Sequence, residues 1–394
     1  MINGAELIDH TKLACVNDFK CTMGDCLYSC CYYWSIVIDD ENINKFKNSK
    51  TELADKFLNS LIVPEEGSKN SKTLMKLCEN GGCPMLDSDH ACSIHRNFGA
   101  DYLSETCTKF PRAATEAHGV LTSGLTLGCY DAALLALTPK NGQIIASATN
   151  EAAARMIDTD FIGYAGFLVR GKVFDMLQDR SVGLQARIAV ISLMLDKLAK
   201  LPLEKASISE FTEIMDFHAR NLEAYSQSLT KITAPDELRQ SFDSWLAHVI
   251  WNYNHRKLPF ENFYSKFAES FMGFDDRENL GKYRNKHAGT LFSEYSYLLE
   301  NYLIITLYND VFPFKHTDYS KAYRYLILKI NLIVSIISVF YRDKPHISEK
   351  DIIFAISYFS RSYEHTPNKI DIFNSFCDEN ENFNLAYSIA MLNL

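Results

Sequence analysis

Cysteine placement constrains this chain more than any other feature of its sequence. Nine of the eleven cysteines in its 394 residues fall within the first 107 positions: Cys15, Cys21, Cys26, Cys30, Cys31, Cys78, Cys83, Cys92 and Cys107. Cys129 follows closely, and Cys377 is isolated. The stretch before Leu13 carries Glu6 and Asp9 and lacks the apolar core of a secretory leader, which predicts a cytoplasmic chain. In that compartment clustered thiols are metal ligands more often than disulfides.

The spacing from Cys21 to Cys31 is C-x4-C-x3-C-C, followed by Cys83, Cys92, Cys107 and Cys129. Zinc ribbons carry two C-x2-C knuckles, and this chain has none. The adjacent Cys30 and Cys31 reach one small tetrahedral ion only with strain. A larger iron–sulfur cluster, or two separate centres, accommodates them more easily, so iron–sulfur is favoured and zinc stays open. His90, His95 and His118 lie nearby as substitutes for a thiolate, although ordinary polar histidines are the plainer reading. The turn Glu79-Asn-Gly-Gly-Cys-Pro84 would present the Cys83 sulfur, because Gly81 and Gly82 tolerate positive φ.

Apolar periodicity predicts a mainly α chain: a cysteine-rich metal-binding region with little strand over residues 1–132, then a multi-helix domain over residues 143–394. In the first part, Trp34–Asp39 alternates weakly and is read as a short strand, Asn42–Asn80 as helices joined by solvated loops, and Ser123–Leu137 as a helix. Beyond Gly142 the expected helices are Phe174–Lys200 with a break at Gly183, Ser209–Ile232, Pro235–Tyr253, Phe260–Phe271, His287–Phe312, Tyr319–Tyr341, Ser348–Tyr363 and Asn368–Phe376. Ser207 or Ser209, and Ser348 ahead of Glu349 and Asp351, are the natural caps. The most apolar run, Tyr325–Tyr341, holds Lys329 and Asn331 and is shorter than the roughly 20 residues that span a bilayer. It reads as a buried helix, with peripheral membrane association and oligomerisation left open.

Several function classes are excluded. A net charge of -9 with no basic cluster argues against nucleic acid as a partner. No G-x-G-x-x-G follows a strand, and P-loop, H-E-x-x-H and G-x-S-x-G motifs are missing. The C-x3-C-x2-C arrangement of radical iron–sulfur enzymes is absent too, because Cys31 directly follows Cys30.

The segment Phe19-Lys-Cys-Thr-Met-Gly-Asp-Cys-Leu-Tyr-Ser-Cys-Cys-Tyr-Tyr-Trp34 resembles the opening motif of flagellin lysine-N-methylases of the FliB type. Cys83-Pro-Met-Leu86, Cys92-Ser-Ile94 and Leu103-Ser-Glu-Thr-Cys-Thr-Lys-Phe-Pro-Arg112 resemble the next three blocks. Leu125–Ala133 is similar to a fifth, with Gly128 and Tyr130-Asp131 departing from the Ser and Pro-Glu expected beside the cysteine. Leu299-Glu-Asn-Tyr-Leu303 and Val311-Phe-Pro-Phe314 are similar to a helical motif nearer the C-terminus. The resemblance implies an S-adenosylmethionine-dependent methyl transfer to the ε-amine of flagellin lysines, with flagellin as protein partner. It also implies a [4Fe-4S] cluster held among Cys21, Cys26, Cys30, Cys31, Cys83, Cys92, Cys107 and Cys129, without saying which four. Zinc or a second centre could occupy the others. Cys15, Cys78 and Cys377 have no counterpart and are read as non-ligands.

Methylation needs a neutral amine, whereas an exposed lysine has a pKa of about 10.4. Desolvation or a base must make up the difference. Neither the catalytic base nor the cofactor pocket can be assigned from the sequence. Tyr28, Tyr32, Tyr33 and Trp34 are candidates for an aromatic wall that attracts a sulfonium, with packing as the plainer role. Lys20, Arg96, Lys109 and Arg112 stand beside the cysteines and could offset cluster charge, Arg112 foremost. Two readings from other classes stay open: a non-catalytic zinc- or iron-binding module with a helical partner-docking domain, and an iron–sulfur redox carrier.

Overall fold

The computed structural model describes residues 9–26, 29–32, 34–64, 72–118, 120–143, 145–146, 161–201, 207–229, 231–242, 286–314, 316, 318–364 and 384–392. The chain is mainly α, and among the described residues its strands all precede residue 147. The first part runs β1 (Asp9–Leu13), α1 (Cys15–Asp18), α2 (Asp40–Lys47), α3 (Glu52–Asn59), β2 (Leu61–Ile62) and β3 (Leu74–Met75). It continues through α4 (Ser93–Phe98), α5 (Glu105–Lys109), β4 (Arg112–Ala117), β5 (Val120–Leu125), α6 (Tyr130–Leu137) and β6 (Ile145–Ala146).

Three local expectations are corrected here. The helix read from Ser123 begins only at Tyr130, because 120–125 is strand β5. Its buried and half-buried positions alternate over 121–124, and Gly124 leaves room for Asn309, whose Oδ1 would lie 1.9 Å from an added Cβ. The helical reading of Asn42–Asn80 holds for α2 and α3, capped by Asp39 and Thr51, and then gives way to a β2–β3 pair. Trp34–Asp39 is extended but joins its neighbour through one bridge, Val37 to Leu74, rather than forming a strand.

The main sheet has the order β4-β5-β1-β6. β4 and β5 are antiparallel, whereas β1 and β5 are parallel, with Asp9 opposite Val120. Parallel neighbours require a long crossover. That crossover is the cysteine-rich stretch itself, so the pairing of β1 with β5 returns Cys129 to the place where the cysteines begin.

The helical half comprises α7 (Phe161–Gln178), α8 (Leu184–Ala199), α9 (Ile208–Arg220), α10 (Leu222–Leu229), α11 (Ser296–Asn309), α12 (Tyr319–Phe340), α13 (Glu349–Phe359) and α14 (Leu385–Ala390). A π-helical turn, Ser360–Glu364, continues α13. Gly183 marks the expected break and caps α8. Ser207 with Glu210, and Ser348 with Asp351, form reciprocal capping boxes. Two predicted helices are divided, at Asn221 and at 294–295. The helix after Pro235 is seen over 236–242, and the rest of it lies outside the described residues, as do Phe260–Phe271 and Asn368–Phe376. No helix among the described residues is long and apolar enough to cross a membrane.

The larger core joins the sheet residues Leu13 and Leu125 to α6 and to the helices. A smaller core surrounds the stacked rings of Phe46 and Phe57, 4.0 Å apart, and Cys83, Cys92 and Cys107 pack on it. α11 lies between sheet and helices and carries polar groups that are fully buried. Glu300 accepts from Arg187 Nη1 at 2.7 Å and from Arg180 Nη2 and Nε at 2.7 and 3.0 Å. Asn301 donates to the Leu137 and Pro139 carbonyls, and Asn309 to that of Leu125. Replacing Glu300 with Ala would strand the buried Arg187 charge. We expect a loss of about 3–5 kcal/mol, read from urea denaturation, with a smaller loss for Glu300→Gln.

Candidate metal centre

The sequence-predicted ligands lie in loops, at helix starts or, for Cys107, within a short helix. Cys21 lies ahead of a single 3-10 turn and receives the Met23 N–H on Sγ at 3.4 Å. The Cys83 N–H donates to the Cys31 carbonyl at 2.8 Å, and Tyr32 bridges to Gly82, which fastens the Cys30-Cys31 loop to the Cys83 turn. Gly81 takes the positive φ anticipated for that turn. Gly82 serves a different need, since a Cβ there would lie 2.8 Å from the Tyr32 ring. Cys92 and Cys129 are the N-cap residues of α4 and α6. Cys107 lies within α5, where burial raises its pKa and the cap Ser104 opposes that rise.

The thiols influence one another electrostatically. Cys31 and then burial push the Cys30 thiol well up. Burial raises Cys83 and Cys129 to about 12 and Cys107 to about 11, and it raises Cys21 and Cys92 as well. In each of these six the charge of at least one other cysteine adds to the rise, and Cys30 acts on Cys21, Cys92, Cys107 and Cys129 alike. Backbone N–H groups oppose the shift at Cys83, Cys92 and Cys129. Cys26 is half-buried and closes the 3-10 turn that follows Cys21. Among the described residues no three His, Cys, Asp or Glu side chains stand in an array closed enough to hold a metal ion.

The remaining cysteines are placed differently. Cys15 is buried in the larger core and raised to about 11, mainly by that burial. Cys78 is exposed beside Cys83. Cys377 lies outside the described residues. Of the histidines, His90 meets the Tyr32 hydroxyl at 3.0 Å, His95 is on α4, and His118 packs on Phe314 at 5.3 Å. Trp34 packs on Phe110 at 5.1 Å, whereas Tyr28 and Tyr33 lie outside the described residues.

The cations divide unexpectedly. Arg96 is engaged by Asp87 and Asp89, and Lys109 by Glu105. Lys20 is exposed. Arg112 donates to the Phe19 carbonyl at 3.0 Å and lies over the Phe19 ring, fixing the chain just ahead of Cys21. The residue that sequence reasoning missed is Arg361, on the π-helical turn. It donates to the Ser29 and Tyr32 carbonyls at 3.1 and 3.2 Å, bracketing Cys30 and Cys31, and its charge lowers the Cys30 pKa. Nothing local in the sequence announces a contact across more than three hundred residues.

The chemistry of this donor set suits a thiolate-ligated centre. Largely part-buried thiols coupled to one another, with N–H groups opposing the rise at several and a guanidinium on the backbone beside Cys30 and Cys31, become thiolates when a bound cation compensates their charge.

The sequence model for the FliB lysine N-methylase C-terminal domain matches residues 170–391, more than half of the chain. The chain belongs to the FliB family. The matched FliB region runs through most of the helical half and contains Arg361 and, of the cysteines, only Cys377. The chain is 30% identical over 120 residues to the lysine-N-methylases of Salmonella choleraesuis strain SC-B67 and Salmonella typhimurium strain LT2. That match covers 30% of this chain and 30% of each of those two proteins. It is 31% identical over 120 residues to the flagellar biosynthetic protein FliU of Salmonella muenchen, covering 30% of this chain and 71% of FliU. No solved structure is significantly similar to the chain.

Burial predicts an order of thiol reactivity. In metal-free protein at pH 8, iodoacetamide should label exposed Cys78 well before Cys83, Cys107 and Cys129. Those three should accelerate only as pH climbs toward their raised pKa values of about 11–12, because the thiolate is the reactive form. Mass spectrometry of the labelled peptides checks the order; one common rate for all four thiols would contradict it.

Proposed function

We propose that this FliB-family chain transfers a methyl group from S-adenosylmethionine to the ε-amine of flagellin lysines, and that its cysteine region holds a [4Fe-4S] cluster. The observation that carries the reading is the electrostatic coupling of five ligand candidates, Cys21, Cys31, Cys92, Cys107 and Cys129, to Cys30, whose loop is bracketed by an arginine from the FliB-matched helical half. The names of the curated relatives, lysine-N-methylase and FliU, support the methyl transfer and the flagellar substrate.

In the reaction the amine nitrogen forms a bond to the methyl carbon as the sulfonium–carbon bond breaks. S-adenosylhomocysteine leaves, and the ammonium so formed releases a proton. An ordinary lysine at pH 7 is neutral in only roughly one molecule of a few thousand, from its pKa of about 10.4. The protein must therefore receive that side chain where desolvation favours the uncharged amine. A [4Fe-4S] cluster, when bound, supplies iron with Lewis-acid and redox capacity. The ligand candidates are Cys21, Cys26, Cys30, Cys31, Cys83, Cys92, Cys107 and Cys129, with zinc as the alternative occupant of any left over. The cytoplasm, where thiols stay reduced, suits such a centre.

Two measurements test this reading. Flagellin co-expressed with the chain should carry methylated lysines by mass spectrometry, and anaerobically purified protein should contain iron and sulfide that Cys30→Ser markedly lowers. Soluble, metal-loaded protein that leaves every flagellin lysine unmodified would sink the enzyme and leave a metal-binding docking module. Zinc without iron would remove the cluster from the proposal.

A further inference from the structure

Among the described residues, Arg170 on α7 is a buried charge without an acid. Its relative exposure is 7%, and among the described residues no carboxylate pairs with it. Its Nη2 donates to the Tyr308 carbonyl at 3.3 Å, and its guanidinium lies 4.6 Å from the Tyr308 ring centre and 5.5 Å from that of Phe174. Arginine has five N–H donors, so one long hydrogen bond leaves most of the fork unused. The contrast with Arg187 is instructive: that guanidinium is equally deep in the same helical half and is matched by Glu300 at 2.7 Å.

Desolvation without compensation pulls Arg170 down to about 10, against an opposing effect of Tyr308. Cation–π contact recovers only part of such a cost. The surroundings are assembled from the stretch that resembles the family's helical motif. Gly166, one turn before Arg170 on the same stripe of α7, has the Phe314 ring where a Cβ would stand, 2.8 Å away. Tyr308 is itself anchored, through its hydroxyl, to Thr11 of β1 at 2.9 Å.

We propose that Arg170 receives the carboxylate of a small-molecule ligand, and that this is the methionyl carboxylate of S-adenosylmethionine. The second clause rests on the methyl-transfer reading above. A planar fork matches a carboxylate through two parallel hydrogen bonds and supplies the missing counter-charge. The depth of the guanidinium restricts the ligand to a small molecule. The flanking rings hold the fork in place, so little side-chain freedom is lost when the ligand arrives.

Calorimetric titration of the full-length, anaerobically purified chain tests the assignment. S-adenosylmethionine should bind roughly thirtyfold or more weakly to Arg170→Met than to the native protein. Its decarboxylated analogue, already weak, should change by less than about threefold, because it lacks the interaction being removed. Arg170→Lys, which keeps charge but not the fork, should fall between. Arg170→Met should melt no lower than the native chain, because it removes an unpaired buried charge.

Unchanged affinity for S-adenosylmethionine in Arg170→Met, an equal loss for the analogue, or collapse of the fold in both variants would overturn the proposal. Should the native chain bind no S-adenosylmethionine, the cofactor reading fails by itself. The carboxylate site is then decided by melting shifts with methionine and methioninol. Stabilisation of the native chain by methionine alone, and of Arg170→Met by neither, retains the site; no stabilisation of the native chain removes it.

Discussion

Glu300 is fully buried in α11, with its oxygens divided between Arg187 and Arg180. The arrangement reaches three other elements at once. Arg187 also donates to the Leu177 carbonyl and Arg180 to that of Lys140, while Asn301 holds the end of α6. Buried ion pairs add little net stability against well-packed apolar residues, but a stranded partner is costly. That penalty opposes a shifted α11, since slippage would separate Glu300 from both arginines. At the other end of α11, Tyr308 reaches Thr11 and Asn309 reaches Leu125. The sheet is therefore positioned by the same helix that organises the bundle. Because β1 and β5 bound the cysteine-rich crossover, the placement of Cys129 relative to Cys21 follows from where α11 sits.

Several boundaries of the helical half were legible in the sequence because their signals are local, whereas the part of α7 before Phe174 and the whole of α14 were not read. Ser207 and Ser348 with their acidic partners, Gly183 at a break, and an apolar run around Ile330 each specify a boundary within a few residues of chain. The sheet was less legible. Ser123–Leu125 is read as the start of a helix because its strand character depends on β1, more than a hundred residues earlier, and on Asn309, which requires a glycine at 124. β2 and β3 are two residues each and too short to show a period.

The site divides along the same line. Cysteine order set the expectation of a thiol-rich centre, and what the structure adds is the electrostatic coupling of those thiols. Its cationic partner was not legible. Sequence neighbourhood suggested Lys20, Arg96, Lys109 and Arg112, but charge compensation is set by what else each cation touches. Arg96 and Lys109 are held by acids of their own segments, and a pair so satisfied has little field left to offer.

Arg361 instead reaches the backbone carbonyls of Ser29 and Tyr32. Carbonyl oxygens orient a guanidinium without neutralising it, and the Arg361 charge lowers the Cys30 pKa against the rise imposed by Cys31 and by burial. The same reasoning separates Arg187 from Arg170. One is neutralised by Glu300 and serves the fold; the other is oriented by a carbonyl and two rings and keeps its charge. Arg361 faces clustered thiols, and Arg170 faces none of the chain's own described acids.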